Sequence, residues 1–334
     1  MTNETPDLLS FHPAWFERVW GGTRLRDSLG HGVPGGVTVG EAWLVSDHAE
    51  CESIVDGGPW DGRSLREIML HTPRWLLGNT VHPTPDGRFP LLLKLIDSAE
   101  ALSVQVHPDD ETAARLGEKD VGKTEMWHVL ESGPGGELIC GLKPEVARED
   151  FSNALAGSGV AGLMCRFAAP AGTSVFVPAG TVHAIGADML IAEIQQNSNI
   201  TYRVYDWDRV DARGRGRTLH VNQALESIHF GEEHGGPSVS RVLEESSVAT
   251  RRLLSACRYF TAEEIVCHGG YDREKGKDSF HLVLSCSGDL AVRTEKTALS
   301  LQRGQAALVP GHVGSYSLDG NGKTLVYYVS APES

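Results

Sequence analysis

The apolar residues of this chain come in short runs, with glycine or proline between them. Phe89-Pro90-Leu91-Leu92-Leu93-Lys94-Leu95-Ile96-Asp97 is the most continuous run, and a single lysine interrupts it. Thirty-eight glycines and sixteen prolines scattered among such runs favour many short strands and tight turns over long helices. No run approaches the roughly 20 apolar residues that a bilayer-spanning helix needs. The chain is therefore expected to be mainly β, with no membrane partner.

At 334 residues the chain is long enough for a sizeable core and two domains. Glu41 to Ser46, Phe89 to Asp97, Met126 to Leu130, Thr173 to Pro178, Leu190 to Gln195 and Thr201 to Tyr205 read as strands. Ser64-Leu65-Arg66-Glu67 opens a helix with a capping-box pattern. Asp109 to Arg115 reads as a short helix, and Lys143 to Ala156 as another on the spacing of Val146, Phe151 and Leu155.

The C-terminal third repeats the strand pattern at Phe280 to Cys286, Leu299 to Leu301, Gln305 to Val309 and Thr324 to Val329. Leu301 to His312 echoes Ala171 to Gly180, including a Gly before and a Pro after the strand. The echo points to two related β-barrels, the second without a metal site, and a polar linker is expected around Gly231 to Ser240. The domains expected are 1–235 and 236–334.

The formal net charge of −14 argues against a nucleic-acid or anionic-membrane binder. An anionic substrate would need a local basic patch. Met1 to Asp7 lacks a basic stretch followed by an apolar one, so no secretory signal is expected. Six cysteines without a CxxC pair read as reduced thiols of a cytoplasmic protein.

Chemistry concentrates at Ser103-Val104-Gln105-Val106-His107-Pro108-Asp109. On an extended backbone Gln105 and His107 share one face, and Val104 and Val106 share the other. With Glu125 and His183 they would supply an amide oxygen, two imidazoles and a carboxylate, a donor set for a borderline divalent metal such as zinc. Lys94, Lys123, Arg203 and Arg209 form a second constellation. A lysine inside an apolar run must face a polar cavity or meet a carboxylate. Arg213-Gly214-Arg215-Gly216-Arg217 reads as a solvated basic turn.

Taken together these segments resemble the type I phosphomannose isomerases, which are cupin-fold mannose-6-phosphate isomerases. The matching stretches include Val19 to Thr23, Gly40 to Trp43, Phe89 to Lys94, Leu102 to Asp109, Gly122 to Trp127, the turn before His183, and Ile200 to Asp206. The resemblance implies two cupin-type jelly-roll barrels with a few short helices. It also implies one zinc ion per chain, on Gln105, His107, Glu125 and His183.

The implied activity interconverts mannose 6-phosphate and fructose 6-phosphate through a cis-enediol, with a small sugar phosphate as the partner. Arg203 takes the place of a family active-site arginine, and Arg209 stands where the family carries a basic residue near the phosphate. Ser103 resembles an active-site serine. Lys94 and Lys123 are candidates for phosphate binding or proton transfer. Glu193 is the next candidate for carrying the proton or orienting Arg203. Competing readings are an iron oxygenase of the same fold and a non-catalytic sugar-phosphate binder. The sequence sets no oligomeric state.

Overall fold

The computed structural model describes residues 5–27, 29, 36–155, 159–210, 213–231 and 236–330. Two antiparallel sheets form the first unit. The six-stranded sheet runs in the order Ser174–Val177, Glu125–Ser132, Met189–Gln196, Leu91–Ser98, Glu41–Val45 and Ala14–Phe16. The five-stranded sheet runs Met164–Ala168, Glu137–Leu142, His183–Ile185, Val104–Val106 and Tyr202–Tyr205.

Strand alternation explains how these sheets stack. On Leu91–Ser98, Leu91, Leu93 and Leu95 join one core, whereas Ile96 joins another with Trp127, Val129, Ile191, Leu138, Cys140 and Ile185. That second core lies between the two sheets. The outer face of the five-stranded sheet, with Val104, Val106, Val182 and Val204, is covered by Phe151 of the helix Arg148–Leu155 and Ala224 of the helix Val221–Ser227. The outer face of the six-stranded sheet packs against Leu65, Ile68, Leu76 and the second unit's Phe260, Phe280, Leu282 and Tyr327.

The second unit is a nine-stranded antiparallel sheet built on two long strands, His281–Arg293 and Ser315–Tyr328. A register shift between Ser285 and Ser287 bends it, and its inner face holds Ile265, Val283, Leu290, Val309 and Val326. Leu9 and Ser10 cross from the start of the chain to pair with Leu308 and Ala307 on this sheet. The architecture is mainly β with a few short helices, as expected. The sheets fit the jelly roll expected, and the two facing sheets keep open edges among the described residues.

The echo in the sequence is an echo in structure. Gly172 and Gly304 both adopt positive φ, at 91° and 80°, ahead of the strands Ser174–Val177 and Ala306–Val309. The capping box also forms: Glu67 N donates to Ser64 Oγ at 3.1 Å, and Ser64 N donates to Glu67 Oε2 at 2.9 Å. The helix expected over 143–156 is shorter, Arg148–Leu155. Pro144 biases Lys143 away from helical backbone, and Asp150 Oδ2 accepts from Ala147 N at 3.1 Å to start the helix later. Ala156 lies outside the described residues, as do Met1 to Glu4 and residues 232–235 of the expected linker. Among the described residues no helix is long and apolar enough to cross a membrane. The six cysteines stand as free thiols, three of them buried.

Candidate active site

Two cross-strand rows of side chains face each other between the sheets. On the five-stranded sheet Cys140 lies opposite His183, His183 opposite Gln105, and Gln105 opposite Arg203. On the six-stranded sheet the row is Trp43, Lys94, Glu193 and Trp127. Directly opposed residues of neighbouring strands share a face. Glu125 lies opposite Gln195 and shares the Trp127 face two residues away.

His107, Glu125 and His183 meet with one donor atom each inside a 4.8 Å cluster, and all three are buried. His107 Nε2 is 3.4 Å from Glu125 Oε2, and His183 Nε2 is 3.4 Å from Glu125 Oε1. His183 Nδ1 donates to the Thr181 carbonyl at 2.8 Å, which leaves Nε2 with its lone pair toward the carboxylate. The Gln105 amide reaches the same atom at 3.2 Å, and a half-turn about its last bond offers Oε1 instead.

Both ring nitrogens of His107 are buried without a hydrogen-bond partner, and the buried Glu125 oxygens accept no well-aligned hydrogen bond although Lys123 ion-pairs with Oε2. Buried polar atoms are rarely left so unless a ligand completes them. This donor set fits a divalent metal.

Local chain chemistry sets these positions. The turn before His183 needs Gly180, whose φ is 86° and whose missing Cβ would stand 2.5 Å from the His229 ring. Gly180 N donates to the His107 carbonyl at 2.8 Å, so the turn ties one imidazole's strand to the other.

Charge is arranged around the cluster. Lys123 Nζ lies 3.1 Å from Glu125 Oε2, and Lys94 Nζ lies 2.9 Å from Glu193 Oε1. Burial would raise the Glu125 carboxyl, but Lys123 and His107 outweigh it and hold it well below the ordinary range. Burial, then the neighbouring Lys123, pushes His107 down to about 3, so its imidazole is neutral. Glu193 is raised by burial and by Glu125, against Lys94 and Lys123. Burial would lower Lys94, but Glu193 and Glu41 keep it raised.

The expected residues thus gather in two places. His107, Glu125, His183, Lys94, Lys123 and Glu193 form one buried network, with half-buried Gln105 beside His183. Arg203, Ser103 and Arg209 lie toward the edge strand, where Arg203 Nε donates to Ser103 Oγ at 3.1 Å. Arg209 is no isolated loop charge, because its Nη2 donates to Asp206 Oδ1 at 2.5 Å.

Glu193 does not bond Arg203. Its oxygens meet Lys94 and the Trp127 indole N–H, which donates to Oε2 at 2.9 Å. Arg217 of the basic turn also pairs with Asp206, its Nε donating to Oδ2 at 2.6 Å, so it is not simply solvated.

Glu41, Trp127, Asp206 and His220 were not singled out in the sequence. Glu41 stands two residues before Trp43 on a strand, and that period of two places both on the Lys94 face. Two cavities of about 550 and 680 Å³ are both lined by Glu118 to Val121 and by none of the buried network. The orphaned donors, rather than cavity size, mark the site.

Known proteins carry the same order of segments. Residues 8–125 match the family model described as phosphomannose isomerase type I, catalytic domain, and residues 250–329 match mannose-6-phosphate isomerase, cupin domain. The probable mannose-6-phosphate isomerase GmuF of Bacillus subtilis (strain 168) is 34% identical over 328 residues, covering 97% of this chain and 99% of that protein. In structure the chain is similar to the mannose 6-phosphate isomerase from Bacillus subtilis, with TM-score 0.88, 29% identity, and 97% and 100% of the two chains covered. A mannose 6-phosphate isomerase bound with zinc and yttrium shares the fold at TM-score 0.77 and 16% identity, with 98% and 100% covered. Both family regions match in order, a relative is 34% identical over nearly its whole length, and the chain belongs to the type I phosphomannose isomerase family.

Proposed function

We propose that this chain interconverts mannose 6-phosphate and fructose 6-phosphate through a cis-enediol, in the cytoplasm, with one zinc ion held by Gln105, His107, Glu125 and His183. The observation that carries the reading is the buried His107–Glu125–His183 cluster with unpartnered donor atoms, set among lysines and arginines in a member of this family. The domains taken are 1–235 for catalysis and 236–334 for support, with Leu9–Ser10 as an added strand of the second.

A bound divalent ion would supply positive charge where negative charge develops on the sugar oxygens. The chain's own residues do the rest. Arg203, on the strand next to Gln105, adds a fixed cation beside that oxygen, and Ser103 holds its Nε. Glu193 and Lys123 flank Glu125 and move the proton between C1 and C2. Lys94, paired with Glu193, keeps that carboxylate ionised until it takes the proton. Arg209 binds the phosphate through the guanidinium N–H groups that its bonds to Asp206 leave over.

A coupled assay for fructose 6-phosphate, run with metal-loaded wild type and Arg203→Ala, tests the reading. Turnover in the wild type and a loss on the order of 100-fold or more in the variant are expected. No turnover in the wild type overturns it. Strict dependence on oxygen would favour an iron oxygenase instead.

A further inference from the structure

Arg203 is gripped from one stretch of chain at three points. Its Nη1 donates to the Thr218 carbonyl at 3.0 Å, its backbone N donates to His220 Nδ1 at 3.3 Å, and its carbonyl accepts from His220 N at 2.8 Å. Nε is already held by Ser103, so among the described residues Nη2 is the nitrogen with both N–H groups left for an anionic oxygen of a substrate. His220 can accept at Nδ1 only as the neutral Nε2–H tautomer.

The stretch that supplies these groups is itself pinned. The chain leaves the strand Tyr202–Tyr205 through Trp207 and Asp208, with φ of 55° and 56°, two successive non-glycine residues in left-handed backbone. They persist because other groups fix them. The Trp207 indole N–H donates to the Leu102 carbonyl at 2.7 Å, and the Tyr205 hydroxyl donates to Asp208 Oδ2 at 3.1 Å. The returning arm pairs Gly216 with Val210. Between the arms, buried Asp206 accepts from both Arg209 and Arg217. Arg217 is bonded in sequence to Thr218, the residue that holds the Arg203 side chain.

We infer that the arms 206–210 and 216–220 form a clasp closed by the Asp206–Arg217 ion pair, and that Asp206, Arg217 and His220 are positioning residues acting through Arg203. The inference rests on the isomerase reading given above. Arg217 spans Asp206 with two nitrogens, which ties the returning arm to the strand end.

The test uses the metal-loaded enzyme and mannose 6-phosphate, with Arg217→Ala, His220→Ala and His220→Asn, each also in an Arg203→Ala background. Asn places an acceptor where Nδ1 stands and Ala does not. Misplacing a reacting group by about an ångström can cost on the order of 100-fold. Arg217→Ala and His220→Ala are therefore expected to lower kcat roughly 10- to 100-fold with KM little changed, and His220→Asn to recover most of it.

In the Arg203→Ala background neither substitution should cause a further loss, because both act through the missing side chain. Inorganic phosphate should inhibit Arg217→Ala as well as it inhibits wild type. Exchange of the Arg203 Nε–H, followed by nitrogen-resolved NMR without substrate, should quicken in Arg217→Ala and His220→Ala. That readout stands even if the wild type does not turn over mannose 6-phosphate, a failure that would count against the function and not the clasp.

Unchanged kcat in Arg217→Ala and His220→Ala, or equal losses with and without Arg203, overturns the inference. A raised KM with weaker phosphate inhibition and unchanged kcat makes Arg217 a phosphate ligand and overturns it too. If Arg217→Ala fails to fold, the two His220 variants carry the same test.

Discussion

Lys94 and Glu193 stand directly opposite each other on adjacent strands, with Nζ and Oε1 2.9 Å apart, both buried. Neither charge would be tolerated alone at that depth. Removing one partner of a buried pair costs about 3–5 kcal/mol because the other charge stays desolvated. Lys94→Met leaves Glu193 without its ion-pair partner and Glu41 with Arg18 alone, and urea unfolding should show a loss of about that size. A loss under about 1 kcal/mol would contradict the pairing.

Glu41 links this network to acid stability. Burial would raise its pKa, but Lys94 and Arg18 outweigh burial and hold it down to about 2, against an ordinary 4.5. A carboxyl depressed in the fold stabilises it fully above pH 4.5, and the contribution is lost as the pH falls toward 2. The gap corresponds to roughly 3 kcal/mol. Glu41→Gln should therefore be less stable than wild type at neutral pH. Its stability should fall less steeply than that of wild type between about pH 4.5 and 2, as measured by chemical unfolding across that range.

Gly180 controls the reach of His183. An alanine there would hold left-handed backbone, costing about 1–2 kcal/mol, and would push its Cβ into the His229 ring. Gly180→Ala is expected to lower both thermal stability and zinc affinity, read by calorimetry with the metal-free and metal-loaded protein. Unchanged zinc affinity would detach the turn from the site.

The donor cluster makes its own forecast. Glu125→Gln keeps the shape and removes the charge between the two imidazoles. Metal analysis after dialysis should find about one zinc ion per wild-type chain. Affinity in the variant should fall by at least on the order of 100-fold, more than the loss of an outer partner usually brings.

Much of this was legible before the structure. The Gln105-x-His107 pair follows from a period of two, and the valines between them do pack into the outer core. Lys94 in its apolar run signalled a buried partner, and Glu193 is that partner. The sequence could not say which acid would meet which base, because pairing across strands depends on register. Hence Glu193 was open to an Arg203 role that the register gives to Ser103 and Thr218.

His220 is not singled out by the sequence for the same reason. Its partner is a backbone amide seventeen residues earlier, which no side-chain pattern reveals. The basic turn misled because charge density reads as solvation, while Asp206 captures Arg217 from the far side of the arm.

The metal-loaded chain should act as an aldose–ketose isomerase of phosphorylated hexoses. Mannose 6-phosphate should be incubated with the protein in heavy water under nitrogen and followed by proton NMR. Fructose 6-phosphate should appear and approach equilibrium, stop forming after chelation and resume with added zinc. A mannose 6-phosphate spectrum that stays unchanged with metal-loaded protein would contradict it.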